Sequence, residues 1–271
     1  EDETPEEEEE KDSVSDNSVS ENDMEVMGEV RALAVPADAI ASGTYENITW
    51  VIDKDGKLTV EGTGDFAEPG KMYITDRAPW CKDFSTRGKI KTAEIRVTGM
   101  TDASYMFFWC SNLTSVSFAG SDTSAVTNMS DMFSRCFKLK NIDFGQNFNT
   151  GNVTDMSSMF SECEVLDDLN LSGWDTANVT DMESMFRNCG FHRLTLGGSF
   201  TTRSVTDMGM MFACNPKFGN QDRIGLKWLD LSWLDLSSVN SMYGMFANCD
   251  VKQLDFDRLN TDGVTSLLGL F

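Results

Sequence analysis

The sequence predicts an α/β repeat solenoid, with short parallel strands on one face, short helices on the other and a β-hairpin cap at the N-terminal end. Three observations carry that prediction. The segment NVTDMSSMFSEC at residues 152–163 returns as NVTDMESMFRNC at residues 178–189. Phenylalanines recur at Phe107, Phe133, Phe160, Phe186, Phe212, Phe246 and Phe271, at intervals of 26, 27, 26, 26, 34 and 25 residues. Each interval joins a helix-like apolar stripe to a strand-like alternation. A period of about 20–50 residues marks units that cannot bury their apolar faces alone and do so by stacking.

In chain order, residues 1–30 hold 14 Asp and Glu against one Lys, a local net charge of 1 − 14 = −13 out of −22 for the chain. Such a run buries too little apolar surface to offset its ordering entropy and reads as a disordered acidic tail. Residues 31–89 read as an N-terminal cap. NITWVIDKDGKLTVEGTG alternates, breaks at Asp55-Gly56 and alternates again, the pattern of a β-hairpin. APWCKDF suggests a short helix opened by proline, and AEIRVTG supplies the first strand of the array.

Residues 90–271 read as about seven units, the last incomplete. Within one unit Val153, Met156, Met159, Phe160 and Cys163 fall on one face of a short helix that Thr154 or Asp155 would cap, and Thr180 and Glu183 stand at capping-box spacing in the next. The strand follows as LTSVSF, LKNIDF, LDDLNL, FHRLTL, LKWLDL and VKQLDF, starting at Leu113, Leu139, Leu166, Phe191, Leu226 and Val251. The tract NPKFGNQDRIG, residues 215–225, accounts for the 34-residue interval as a bulging loop.

Twelve of the sixteen methionines sit in the stripes, where core filling is favoured over copper or cofactor binding. Six of the seven cysteines follow a ladder phenylalanine by two or three residues and read as small packing groups with reduced thiols. Asp122, Asn149, Asp175, Asp235 and Asn260 share a position ahead of each stripe; they read as loop-capping turns, since the glycine-rich nonapeptide of calcium-binding β-helices is missing.

The acidic balance disfavours nucleic acid, and no stretch approaches the 18 or so consecutive apolar residues of a bilayer span. His192 is the only histidine, so multi-histidine metal sites are out of reach, and its strand position is one held elsewhere by Thr114, Lys140, Asp167, Lys227 and Lys252. Paired carboxylates such as Asp167-Asp168 and Asp255-Asp257 read as solvated faces without a deep pocket around them. No enzyme and no cofactor are expected. The strands instead present two outward columns, Ser115, Asn141, Asp168, Arg193, Trp228 and Gln253 beside Ser117, Asp143, Asn170, Thr195, Asp230 and Asp255. Six strands at about 4.8 Å make a wall roughly 25 Å long, the scale of a protein epitope or an oligosaccharide. The candidate ligand-binding residues on it are Asp143, Asp168, Asn170, His192, Arg193, Thr195, Trp228, Asp230, Gln253 and Asp255, with Trp228 and Arg193 as anchors.

The pattern LxxLxLSxWDTxxVTDMxxMFxxC, legible from Leu166 to Cys189, resembles the repeat of BspA-like bacterial surface leucine-rich-repeat proteins. The segment from Thr49 to Trp80 looks like the cap that precedes such repeats. The resemblance implies a leucine-rich-repeat-like solenoid that is secreted or held at a bacterial cell surface, with adhesion to a host extracellular protein or glycan as its role. A structural stalk displaying another domain after residue 271 is the alternative. The family supplies no catalytic residues. The last unit, VTSLLGLF, leaves an apolar layer open through which self-association is expected.

Overall fold

Backbone hydrogen bonds between successive repeats, rather than within them, organise this chain. The computed structural model describes residues 33–66, 78–190, 193–214, 234–249 and 263–271. The acidic segment at residues 1–30 and the loop tract at residues 215–225 therefore lie outside the described residues.

Among the described residues there are eight strands: β1 (Ala41–Tyr45), β2 (Ile48–Ile52), β3 (Lys57–Thr63), β4 (Thr92–Thr98), β5 (Ser115–Ser117), β6 (Asn141–Asp143), β7 (Asp168–Leu171) and β8 (Arg193–Leu196). β1, β2 and β3 form an antiparallel meander. Its second turn is the Asp55-Gly56 break, where Asp53 Oδ1 accepts the Asp55 and Lys57 N–H groups at 2.9 Å and Gly56 takes φ +88°. From β3 onward pairing is parallel, β3 to β4 to β5 to β6, and a second parallel pair joins β7 to β8. Parallel neighbours need a crossover, and each repeat supplies one.

The crossover is not the expected helix. Among the described residues the only α-helix is the four-residue α1 (Phe84–Arg87), beside a 3-10 turn at Pro79–Cys81. The stripe from Met156 to Cys163 shows why. Met156, Ser158, Phe160 and Glu162 donate their N–H groups to Asp181, Glu183, Met185 and Arg187 of the next unit at 2.7–3.0 Å, while Met159, Ser161 and Cys163 donate back three residues. An α-helix would spend every N–H on its own turn four residues back. Here alternate groups cross to the neighbour, which requires a left-handed residue twice per unit: Asp131 and Arg135, Ser158 and Glu162, Ser184 and Asn188. Each such non-glycine residue costs about 1–2 kcal/mol, which an inter-unit hydrogen bond offsets in part. Three- and four-residue turns return a side chain to the core at the spacing of a helix, so Val153, Met156, Met159, Phe160 and Cys163 are all fully buried on a backbone that is not helical.

The core is a set of columns running through the units. All twelve stripe methionines are buried. The ladder phenylalanines stack ring on ring from Phe107 to Phe271, with centroids 5.5–6.1 Å apart and interplanar angles of at most 20°. Each such contact adds about 0.5–1.5 kcal/mol to the burial itself. A second aromatic group, Phe118, Phe144, Phe148 and Trp174, fills the side toward the strands, with Trp174 packing 6.1 Å from Phe160.

Four buried threonine rungs join successive units just ahead of the stripe. Thr176, wholly buried, donates its hydroxyl to the Thr201 carbonyl at 2.6 Å and accepts the Thr201 N–H at 2.7 Å. Thr123, Thr150 and Thr202 do the same to Asn149, Asp175 and Asp235. The hydroxyl thus takes the place of a strand residue where the ladder is broken. The cap closes the first unit by related means. Asp65 accepts the Thr101 and Asp102 N–H groups at 2.7 and 3.0 Å, and Trp80 Nε1 donates to the Met106 carbonyl at 2.9 Å.

Met182→Asp should lose cooperative unfolding or drop stability by more than about 4 kcal/mol, because a charge would replace a fully buried thioether. Asp168→Ala should cost about 1 kcal/mol or less, since it removes only a surface ion pair. Equal melting temperatures in circular dichroism would contradict the register. Thr176→Val should cost about 2–3 kcal/mol by stranding both Thr201 backbone groups, whereas Thr176→Ser keeps the rung and loses about 1 kcal/mol with its methyl. A valine variant that melts like the serine one would show that the rung contributes nothing.

Candidate functional site

The outward face of the short strands begins as backbone geometry. Register pairs Ser115 with Asn141 and Ser117 with Asp143, then Asp168 with Arg193 and Asn170 with Thr195. Alternation therefore sends these residues out while Val116, Leu169 and their equivalents enter the core. The columns continue backward into the cap, where Lys57 pairs with Thr92 and Thr92 with Ser115.

Five candidate residues fall among the described ones. Asp143 is exposed and accepts the Ser117 hydroxyl at 2.9 Å and the Gly145 N–H at 3.0 Å. Asn170 accepts the Ser172 N–H at 3.0 Å, and Thr195 stands exposed opposite it. Asp168 and Arg193 approach at 3.7 Å with side chains 67% and 76% exposed. At that exposure an ion pair is worth little and exchanges readily for another partner. Among the described residues no ladder pairing joins β6 to β7, so strand pairing aligns each column on either side of that step but not Asn141 with Asp168 or Asp143 with Asn170 across it. His192, Trp228, Asp230, Gln253 and Asp255 lie outside the described residues.

Two open clefts flank the strands. One, of about 660 Å³, opens where the strands begin and is lined by Asp55, Lys57, Lys91, Asn112, Thr114 and Lys138. The other, of about 560 Å³, opens where they end and is lined by Asp122, Gln146, Asn147, Phe148, Asn149 and Asp175. Asp122, Asn149, Asp175 and Asp235 each accept the N–H two residues ahead at 2.8–3.0 Å. They are the loop-capping turns that their spacing indicates, and Asn260 lies outside the described residues.

On the stripe side, single parallel bridges align Asp102, Asn128, Asp155, Asp181 and Asp207 in one column that the sequence reading did not single out. Each Oδ1 accepts the N–H two residues ahead at 2.7–2.8 Å. Burial pushes the Asp181 carboxyl above its ordinary value, and the Asp155 and Asp207 charges push the same way. Asn128 holds the same turn without a charge. Among the described residues no two cysteines are joined in a disulfide. Burial raises the Cys110, Cys136 and Cys163 thiols, which keeps them protonated and inert. Among the described residues no group of three or more His, Cys, Asp or Glu side chains is placed to hold a metal ion, and no helix is long and apolar enough to cross a membrane.

These features define a protein of stacked repeats whose polar groups face outward from strands and turns. Family comparison is more specific. The chain belongs to the family described as Mycoplasma protein of unknown function, DUF285, which matches residues 101–228 and 193–271 and so more than half of its length. Among solved structures it is similar to a leucine rich cell surface protein of Faecalibacterium prausnitzii, at 20% identity and a TM-score of 0.34 over 66% of this chain and 46% of that one. A leucine-rich repeat protein of Eubacterium ventriosum matches at 18% identity and a TM-score of 0.31 over 79% of this chain and 65% of that one. The chain therefore spans about half to two thirds of the length of these structures. No curated protein matches it.

A carboxyl that holds its proton more tightly when folded stabilises the fold below its unfolded value, and that stabilisation is lost as pH rises through the folded value. Asp181→Asn should therefore melt above the parent at pH 7, because the amide keeps the turn and removes repulsion from Asp155 and Asp207. The advantage should shrink as pH falls and vanish below the ordinary aspartate value, where Asp181 is protonated in the folded and the unfolded chain alike. A difference that stays constant across that range would exclude the column as its source.

Proposed function

We propose that this chain is a non-enzymatic binding module of a bacterial cell surface, a leucine-rich-repeat solenoid whose strand face meets a host extracellular protein or glycan. The observation that carries the reading is the exposed pair Asp168 and Arg193 on adjoining strands, beside Asn170 and Thr195, where polar groups stand in register and are only weakly engaged with one another. A surface of this kind gains more from a ligand than from itself. The secreted or surface location rests on the resemblance of the repeat motif.

An array of matrix proteins, mucins and glycans identifies the partner. Trp228→Ala and Arg193→Ala should then each weaken it about thirtyfold by titration calorimetry, while Ser117→Ala, on a strand apart from the Asp168–Arg193 pair, should be nearly silent. Failure to capture any ligand, or equal affinities for all three variants, would remove the strand face from consideration.

A further inference from the structure

The cleft at the start of the strands has the opposite charge from the rest of the chain. Its lining carries three lysines, Lys57, Lys91 and Lys138, against one aspartate, Asp55, in a protein of net charge −22. Lys89 and Lys140, both exposed, flank Lys91 and Lys138 in sequence. The cluster has a structural origin. The residue that enters each strand sits at the rim, and here those positions hold Lys91, Thr114 and Lys140, linked through the Thr114 and Lys140 N–H donations at 2.7 and 2.9 Å.

The lysines are not equivalent. Lys57 is engaged, with its ammonium 2.7 Å from Glu94. Lys138 is held by a neutral relay, donating to Asn112 Oδ1 at 2.8 Å while Asn112 Nδ2 donates to the Gly88 carbonyl at 2.8 Å. That leaves Lys138 oriented, with no carboxylate among the described residues within ion-pair distance and with two further N–H donors. Lys91 lies across the cleft with no carboxylate among the described residues within ion-pair distance.

We propose that this cleft binds a sulfated oligosaccharide, with Lys91 and Lys138 taking its anionic groups and Asn112, Thr92 and Thr114 its hydroxyls. The proposal goes beyond the strand-face reading by naming a second site, and it rests only on the view of the chain as a binding module. Three considerations select the ligand. At physiological ionic strength charges are screened beyond about 8 Å, so a short anion seated between the lysines senses them more than the distant carboxylates. A long nucleic acid would extend over acidic surface and be repelled. An acidic peptide would need aromatic anchors, and the lining has none; its lysine ammoniums, one amide and two threonine hydroxyls can serve a polyhydroxylated anion, whose ring faces suit the largely apolar walls between them.

Titration of the protein with a heparin-derived hexasaccharide, its desulfated counterpart and hexaglutamate, at low and physiological salt, tests the assignment. The sulfated hexasaccharide should bind, more weakly as salt rises, and the other two should bind at least about tenfold less well. Lys91→Gln with Lys138→Gln should lose about tenfold or more in affinity with an unchanged melting curve, since both side chains are exposed. Lys54→Gln, which removes a positive charge outside the cleft lining, should bind the hexasaccharide like the parent. No binding by the parent, an unaffected double variant, or tighter binding of hexaglutamate would overturn the proposal. If Lys54→Gln lost the binding as well, the cleft assignment would fail while the strand-face reading stood.

Discussion

The structure depends on a single constraint, that alternate backbone N–H groups of each Met/Phe segment are donated to the following unit. Phe160 to Met185 and Glu162 to Arg187 are two rungs of a ladder that runs from Ala103 to the last coil. Because the groups are committed across units, no segment closes into a helix, and two residues per unit must turn left-handed. The same commitment sets methionine over methionine and phenylalanine over phenylalanine, so hydrogen bonding and apolar burial enforce one register. A unit removed from its neighbours would lose both together, the physical reason that such arrays are stable only as stacks.

Where that ladder is interrupted, polar side chains substitute for backbone. Thr123, Thr150, Thr176 and Thr202 are buried hydroxyls that both donate and accept across the interval, a role that neither valine nor alanine can fill. Asp65 does comparable work at the cap, presenting carboxylate oxygens to the first coil where a preceding coil would present carbonyls. These substitutions leave the strand face free of structural duty. Its outward residues bind one another weakly or cap their own turns, so the face and the clefts beside it can vary in chemistry without disturbing the stack.

Charge is distributed along the same logic. Stacking one unit on the next places like residues at the same height, so a carboxylate repeated in sequence becomes a carboxylate column in space, and Asp181 feels both Asp155 and Asp207. A rim position that changes from one unit to the next gathers lysines near the cap instead. An acidic protein thereby carries a locally cationic cleft that its net charge of −22 conceals.

The amino-acid sequence by itself determined the period, the membership of the apolar columns, the outward positions of the short strands and the turn-capping role of Asp122, Asn149 and Asp175. Each of these follows from spacing along the chain, within a unit or from one unit to the next. It misrepresented the crossover, because turns of three and four residues return side chains to the core at helical intervals, and only the recurrence of Gly244 and Gly269 where Ser158 and Ser184 stand hinted at left-handed backbone. The DT and NT dipeptides at residues 122–123, 149–150 and 175–176 were visible as Asx positions, yet the threonine beside them gave no sign that its hydroxyl bridges to the next unit. The column from Asp102 to Asp207 and the pairing of Lys138 with Asn112 were likewise decided by tertiary structure alone. Such contacts join residues about one repeat apart, and what one unit presents to the next depends on the backbone path between them, which hydrogen bonding across the stack selects.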